Sequence, residues 1–169
     1  MEKEPRIFKQ RKPTRLKEYD YSSNGRYFVT ICVQDRKLLL GSVVVGDGVL
    51  DVPKMRLSRL GLIAEKYIQN MSHKYDGVSV EDYVIMPNHI HLVIGVLNQG
   101  TSRTPSPTNQ VIPKFVSSFK RFCNREYGYN IWQRSYHDRI IRNDAEYKKI
   151  HTYIKGNPIV WQKDKFFVE

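Results

Sequence analysis

Cysteine is almost missing from this chain. There are two in 169 residues, Cys32 and Cys123, and no Cys-x-x-Cys pair. No secretory signal is expected at a start that reads Met-Glu-Lys-Glu-Pro. Together these absences predict reduced thiols and a cytoplasmic protein. No apolar run approaches the ~18 residues that a membrane span requires, so no membrane partner is expected. Acidic residues are scarce as well: 17 Asp and Glu stand against 28 Lys and Arg, for a net charge of +11. That balance favours a polyanion, and nucleic acid is the leading candidate. The excess is concentrated, because residues 114–142 hold seven Lys/Arg against two Asp/Glu while residues 21–113 hold nine against seven. At this length one domain with a substantial core is expected.

Histidine is sparse too, with five in all, yet two of them fall together in His89-Ile90-His91. The β-branched run 78–86, the turn residues Pro87-Asn88 and the run 89–96 predict a hairpin. Alternation along the second strand sets His89 and His91 on one face and Ile90, Leu92, Ile94 and Val96 on the other. Paired imidazoles at i and i+2 suit a divalent metal if further ligands arrive from elsewhere in the fold. Two half-buried strand histidines bonded to their neighbours are the simpler alternative. The chain lacks what rival uses of the motif need. Val93 stands where a histidine-triad hydrolase has its third histidine, and no second His-x-Ser/Thr motif is present for a two-histidine phosphodiesterase. A zinc hydrolase would need more His, Asp or Glu ligands.

Read in order, residues 1–20, charged and Pro-broken, are expected to form a basic arm, and 21–169 one domain. Residues 27–33 predict a strand. Residues 38–45, then Gly46-Asp47-Gly48 and Val49-Leu50, predict a small hairpin. Leu57, Leu60, Gly61, Ala64, Ile68 and Met71 predict a helix with one buried face. Residues 98–110 contain no apolar side chain and predict a flexible internal loop. A helix opened by Pro113 follows, with Ile112, Phe115, Val116, Phe119, Phe122 and Cys123 on one side. Lys114, Ser117, Ser118, Arg121 and Arg125 lie on its other side, either as a solvated face or as hydroxyls and cations fit for a phosphate backbone. Ile131-Trp132 and Ile140-Ile141 bracket a further strand or hairpin. A last helix runs from an Asn143 N-cap to Asn157-Pro158. Its core stripe is Tyr147, Ile150, His151 and Ile154; Tyr153 lies off that stripe, with Asn157 one turn beyond it.

Met86-Pro87-Asn88-His89-Ile90-His91 and Tyr153-Ile154-Lys155-Gly156-Asn157-Pro158 together resemble the single-tyrosine HUH (IS200-like) transposases, and most closely their REP-associated tyrosine transposase branch. Tyr27-Phe28-Val29-Thr30, Trp132-Gln133, Tyr136-His137-Asp138 and Asp164-Lys165 agree with it at matching spacings. The resemblance covers nearly the whole chain after Arg15. It implies an α/β (α+β) fold, a ferredoxin-like antiparallel sheet with helices packed on one face. It also implies cleavage and joining of single-stranded DNA, next to hairpins, through a covalent 5′-phosphotyrosine. The residues carry over as Tyr153 for the nucleophile and His89, His91 and Asn157 for the ligands of a divalent metal, Mg²⁺ or Mn²⁺. Lys114, Ser117, Arg121 and Arg125 are the candidate DNA contacts. A homodimer is a further implication, since sites in the wider family can be shared between subunits, and the location would be the nucleoid. The alternative is a catalytically silent DNA-binding regulator on the same fold.

Overall fold

The computed structural model describes residues 24–45, 51–72, 75–97 and 111–168. The predicted basic arm, the Gly46-Asp47-Gly48 turn and the 98–110 loop lie outside them. The elements are β1 (Gly25–Cys32), β2 (Gly41–Val44), β3 (Lys54–Leu57), α1 (Arg59–Ser72), β4 (Val78–Met86), β5 (His89–Val96), α2 (Val111–Tyr127), β6 (His137–Ile141) and α3 (Asp144–Gly156). β4, β5, β1 and β6 form one antiparallel sheet in that order. With α1 crossing between β1 and β4, and α2 between β5 and β6, this is the expected ferredoxin-like arrangement.

Register explains the two faces. Thr30 opposes His91 and Cys32 opposes His89 across β1 and β5, while Val84 opposes His91 and Met86 opposes His89 across β4 and β5. Residues that face each other across a pair share a side. The histidines therefore stand among Thr30, Cys32, Val84 and Met86. Tyr27, Val29, Ile31, Ile85, Ile90, Leu92 and Ile94 turn the other way, onto Ala64, Ile68 and Met71 of α1 and Ile112, Phe115, Val116 and Phe119 of α2. α1 and α2 cover that face, and α3 lies on the histidine face, where Ile150 and Ile154 bury against Val93 and Ile141.

A bulge between Val80 and Asp82 inserts one extra residue into β4. It shifts the alternation, so that Val80 pairs with Ile94 on the helix side while Asp82 pairs with Val93 on the histidine side. The small hairpin differs from the sequence expectation. β2 pairs with β3 at Lys54–Leu57, with Gly41 opposite Leu57, and the expected second strand at Val49-Leu50 lies outside the described residues. Leu57 closes β3, and the helix starts two residues later, where the Ser58 hydroxyl accepts the Gly61 N–H. At the Ile131-Trp132 end Trp132 bridges to Val33, flanked by Gln34 N–H on the Ile131 carbonyl and Gln133 N–H on the Cys32 carbonyl. The last strand is a single element, His137–Ile141. Asn143 caps α3 as expected: its side chain accepts the Glu146 N–H at 2.8 Å, and Glu146 in turn accepts the Arg142 N–H at 2.9 Å. No helix of the described residues is long and apolar enough to cross a membrane.

Candidate metal centre and tyrosine

His89 and His91 sit at the start of β5, one of the two central strands, 0% and 1% exposed. Each ring is fixed through its Nδ1. Asn88 Oδ1 accepts from His89 Nδ1 at 2.8 Å, and Thr30 Oγ1 lies 2.8 Å from His91 Nδ1. Asn88 is itself held, because its amide nitrogen donates to the carbonyl oxygens of Phe166 (2.8 Å) and Arg36 (3.3 Å). The turn residue preceding the motif is thus a buried strut that orients the first imidazole. Both Nε2 atoms are left facing each other, 3.0 Å apart. Burial pushes both histidines below the ordinary imidazole range, and for His91 the facing His89 adds to the effect. At neutral pH the pair is uncharged, the form in which imidazole ligates metals.

Asp164 completes a group of three. Ligand atoms of His89, His91 and Asp164 all lie within 4.8 Å of one another. The carboxylate is pinned by the Phe166 N–H on Oδ1 at 2.7 Å. Its Oδ2 accepts from Tyr153 Oη at 3.0 Å and from the Asn157 amide nitrogen at 3.2 Å. Tyr153 Oη is also 3.2 Å from His91 Nε2. Tyr153 and Asn157 are at i and i+4 at the end of α3, so one face of the helix delivers both to the same carboxylate. Within this single chain, Tyr153 meets its own histidines. Burial first, and then the Asp164 carboxylate, raise the tyrosine to about 12.

The donor set fits a divalent cation. Asn157 is 0% exposed, and its Oδ1 has no hydrogen-bond partner among the described residues. A buried amide oxygen without a partner is uncommon and asks for a positive or donating neighbour. Two imidazole nitrogens, a carboxylate and an amide oxygen form a mixed N/O set that would bind an ion of this kind.

Four sequence candidates, Tyr153, His89, His91 and Asn157, are therefore brought together. Lys114, Ser117, Arg121 and Arg125 are not. They are exposed on the outer side of α2, across the sheet from the histidines. Arg121 and Arg125 there lie over the Phe122 ring, at 5.3 and 5.4 Å. Asp164 is the residue that site reasoning on the sequence missed. It follows a short 3-10 turn at Trp161–Lys163, where no periodicity marks a face; the Asp164-Lys165 match was its one signal.

No family model matches the chain. It is 32% identical to an uncharacterized protein of Haemophilus influenzae over 177 aligned residues, 94% of each chain. Among solved structures it is similar to a REP-associated tyrosine transposase bound to a REP hairpin, with a TM-score of 0.61 at 19% identity, over 89% of this chain and 76% of that one. The fold matches the resemblance read in the sequence.

Proposed function

We propose that this chain, which belongs to one family with the Haemophilus influenzae protein and has the fold of a REP-associated tyrosine transposase, cleaves and rejoins single-stranded DNA beside hairpins through a covalent 5′-phosphotyrosine at Tyr153. The observation that carries this reading is the position of Tyr153 Oη, 3.2 Å from His91 Nε2 and 3.0 Å from Asp164 Oδ2. A tyrosine whose hydroxyl reaches into a buried cluster of metal-ligating side chains is placed for nucleophilic work. His89, His91, Asp164 and Asn157 would hold the ion, Mg²⁺ or Mn²⁺. When bound, it supplies charge neutralisation at the scissile phosphate and at the tyrosine oxygen.

The chain's own groups account for the proton. With burial and Asp164 holding Tyr153 above the ordinary tyrosine value, its hydroxyl is protonated at pH 7. The nucleophile is therefore stored neutral, with Asp164 Oδ2 as the acceptor already in hydrogen-bond contact. In the reaction, Oη gives its proton to that side and bonds to phosphorus. The bond to the upstream 3′ oxygen breaks, and that oxygen leaves as a hydroxyl after taking a proton from solvent. The phosphate ester is conserved in the link to tyrosine, so rejoining needs no nucleotide cofactor. In this reading Tyr153 acts with the histidines of its own chain and approaches His91 Nε2 to 3.2 Å. A DNA substrate places the protein at the nucleoid. Lys114, Ser117, Arg121 and Arg125 supply a second, more distant DNA surface that suits the hairpin.

The test is incubation of end-labelled single-stranded hairpin oligonucleotides with Mn²⁺ or Mg²⁺, resolved on denaturing gels. We expect a protein-linked 5′ end and a free 3′ hydroxyl, with little cutting of the same sequence as perfect duplex. Tyr153→Phe removes the adduct while DNA binding persists, and EDTA or His91→Ala stops cleavage. Products with an unblocked 5′ phosphate would identify a water-using nuclease instead. Binding without any cleavage would leave the silent regulator.

A further inference from the structure

Between β6 and α3, beside Tyr153, lies a cavity of about 360 Å³, within the ~300–1,000 Å³ range of small-ligand pockets. Its walls follow from register and helix geometry. His137 opposes Thr30 and Arg139 opposes Phe28 across β1 and β6, so both stand on the face that carries His91. On the facing helix, Glu146, Lys149 and Tyr153 fall at i, i+3 and i+7, along one side. Arg139 is paired with Glu146. Lys149 and Lys165 also line the cavity, and neither has an acidic partner among the described residues. Phe28 supplies an aromatic wall, stacked on His91 with centroids 5.0 Å apart and edge-on to Tyr153 at 6.2 Å. β6 is the edge of the sheet, so a chain can enter from solvent.

Resting on the function proposed above, we infer that this cavity is a subsite for one nucleotide of the single strand, the one immediately 3′ of the scissile phosphate. Its base lies against Phe28 and His137, and its phosphates meet Lys149 and Lys165. In-line displacement fixes the side. The upstream 3′ oxygen must leave away from Tyr153 Oη, whereas the downstream nucleotide stays bonded to that oxygen through its 5′ phosphate. The retained nucleotide is thus tethered to a residue that lines the cavity. Holding it there keeps the covalent strand in place until a 3′ hydroxyl returns to reverse the bond. An aromatic wall with two cations that lack an acidic partner is the combination that unpaired nucleotides select.

The cut site is first mapped with wild-type protein, from the adduct it forms with a pool of single-stranded oligonucleotides that carry a foldback hairpin and a randomised flank. Affinity is then measured for Tyr153→Phe protein against three oligonucleotides: intact, abasic immediately 3′ of the cut, and abasic immediately 5′ of it. We expect the 3′ abasic strand to bind roughly 5- to 150-fold more weakly than intact, the loss typical of one base stack; the 5′ abasic strand changes little. Lys149→Glu in the same background weakens intact DNA and shrinks the 3′ abasic penalty, while leaving the thermal transition in place because Lys149 is exposed. If adducts form and the 3′ abasic strand binds like the intact one, the subsite is wrong and the transferase reading stands. If no adduct forms with any strand, both fall.

Discussion

Removal of the Asp82 carboxylate should loosen α3 selectively. Asp82 is 5% exposed at its side chain, on the histidine face where the β4 bulge places it. His151 Nδ1 donates to its Oδ2 at 2.6 Å, and Lys155 Nζ lies 3.1 Å from its Oδ1. Both partners are on α3, so a strand carboxylate ties down the helix that carries Tyr153. Bonds to charged groups are worth ~1.5–3 kcal/mol each when shielded. His151 and Lys155 are 47% and 62% exposed, however, and water replaces part of what they lose. Exposed pairs contribute only ~0.2–1 kcal/mol. Between these limits we expect Asp82→Ala to cost about 2 kcal/mol and Asp82→Asn about 1 kcal/mol.

α3 remains docked on average in either variant, because Ile150 and Ile154 still bury against Val93 and Ile141. What changes is the frequency of opening. Hydrogen exchange of α3 amides should speed up about 30-fold in Asp82→Ala, the factor that corresponds to ~2 kcal/mol of local stability. Amides of β5 should respond less, and DNA affinity should hold. An equal loss of protection in β5 and α3 would make Asp82 a contributor to global stability alone. Unchanged protection in α3 would refute the tie.

Acid gives a second prediction. His89 and His91 are buried neutral with folded values below the unfolded imidazole value, so their contribution is full above about pH 6.5 and is lost as pH falls from there toward the folded values. Each unit of depression is worth about 1.4 kcal/mol. Urea midpoints at pH 7.5 and 4.5 should separate more in the wild type than in a His89→Gln/His91→Gln variant; equal separation would dismiss the pair as the cause. On α2, charge reversal at Lys114, Arg121 and Arg125 should flatten the salt dependence of binding by about 0.7 in log–log slope per lost single-strand contact. An unchanged slope would return that stripe to a solvated face.

The legible parts of this chain are those with a period. Alternation put His89 and His91 on one side of a strand and their aliphatic neighbours on the other, and the register agrees. Apolar spacing marked α1, α2 and α3, and side-chain chemistry marked the Asn143 cap. The illegible parts break or lack a period. A one-residue bulge inside β4 reverses which alternate residues are buried, and nothing in Val80-Glu81-Asp82 announces it. His151 sits on the predicted core stripe of α3 but is exposed, bonded to that same Asp82. The partner of β2 is Lys54–Leu57, in which two cations alternate with Met55 and Leu57, so its apolar signal is weak. Helical periodicity also shows which side of α2 faces a core but not which face of the sheet that core covers. The separation of the basic stripe from Tyr153 is therefore a property of the topology.

The same limit hid Asp164, whose arrangement decides how the tyrosine rests. One oxygen, Oδ2, accepts from both Tyr153 and Asn157. Burial is the larger cause of the raised tyrosine, with the charge and the hydrogen bond of Asp164 adding to it. A neutral amide at this position removes the charge and leaves the burial. Asp164→Asn should therefore bring Tyr153 down from about 12 without returning it to 10. Carbon-13 labelling of the tyrosine ring, with Tyr153→Phe to assign the resonance among eleven tyrosines, reads this titration directly in metal-free protein. A value that stays at about 12 would assign the whole shift to burial and show that the carboxylate does not bear on the hydroxyl; a rise would mean that Asp164 acts in the opposite direction and would refute the reasoning. A fall identifies Asp164 as the second cause, after burial, of the raised tyrosine, acting through the same hydrogen bond along which Oη would release its proton.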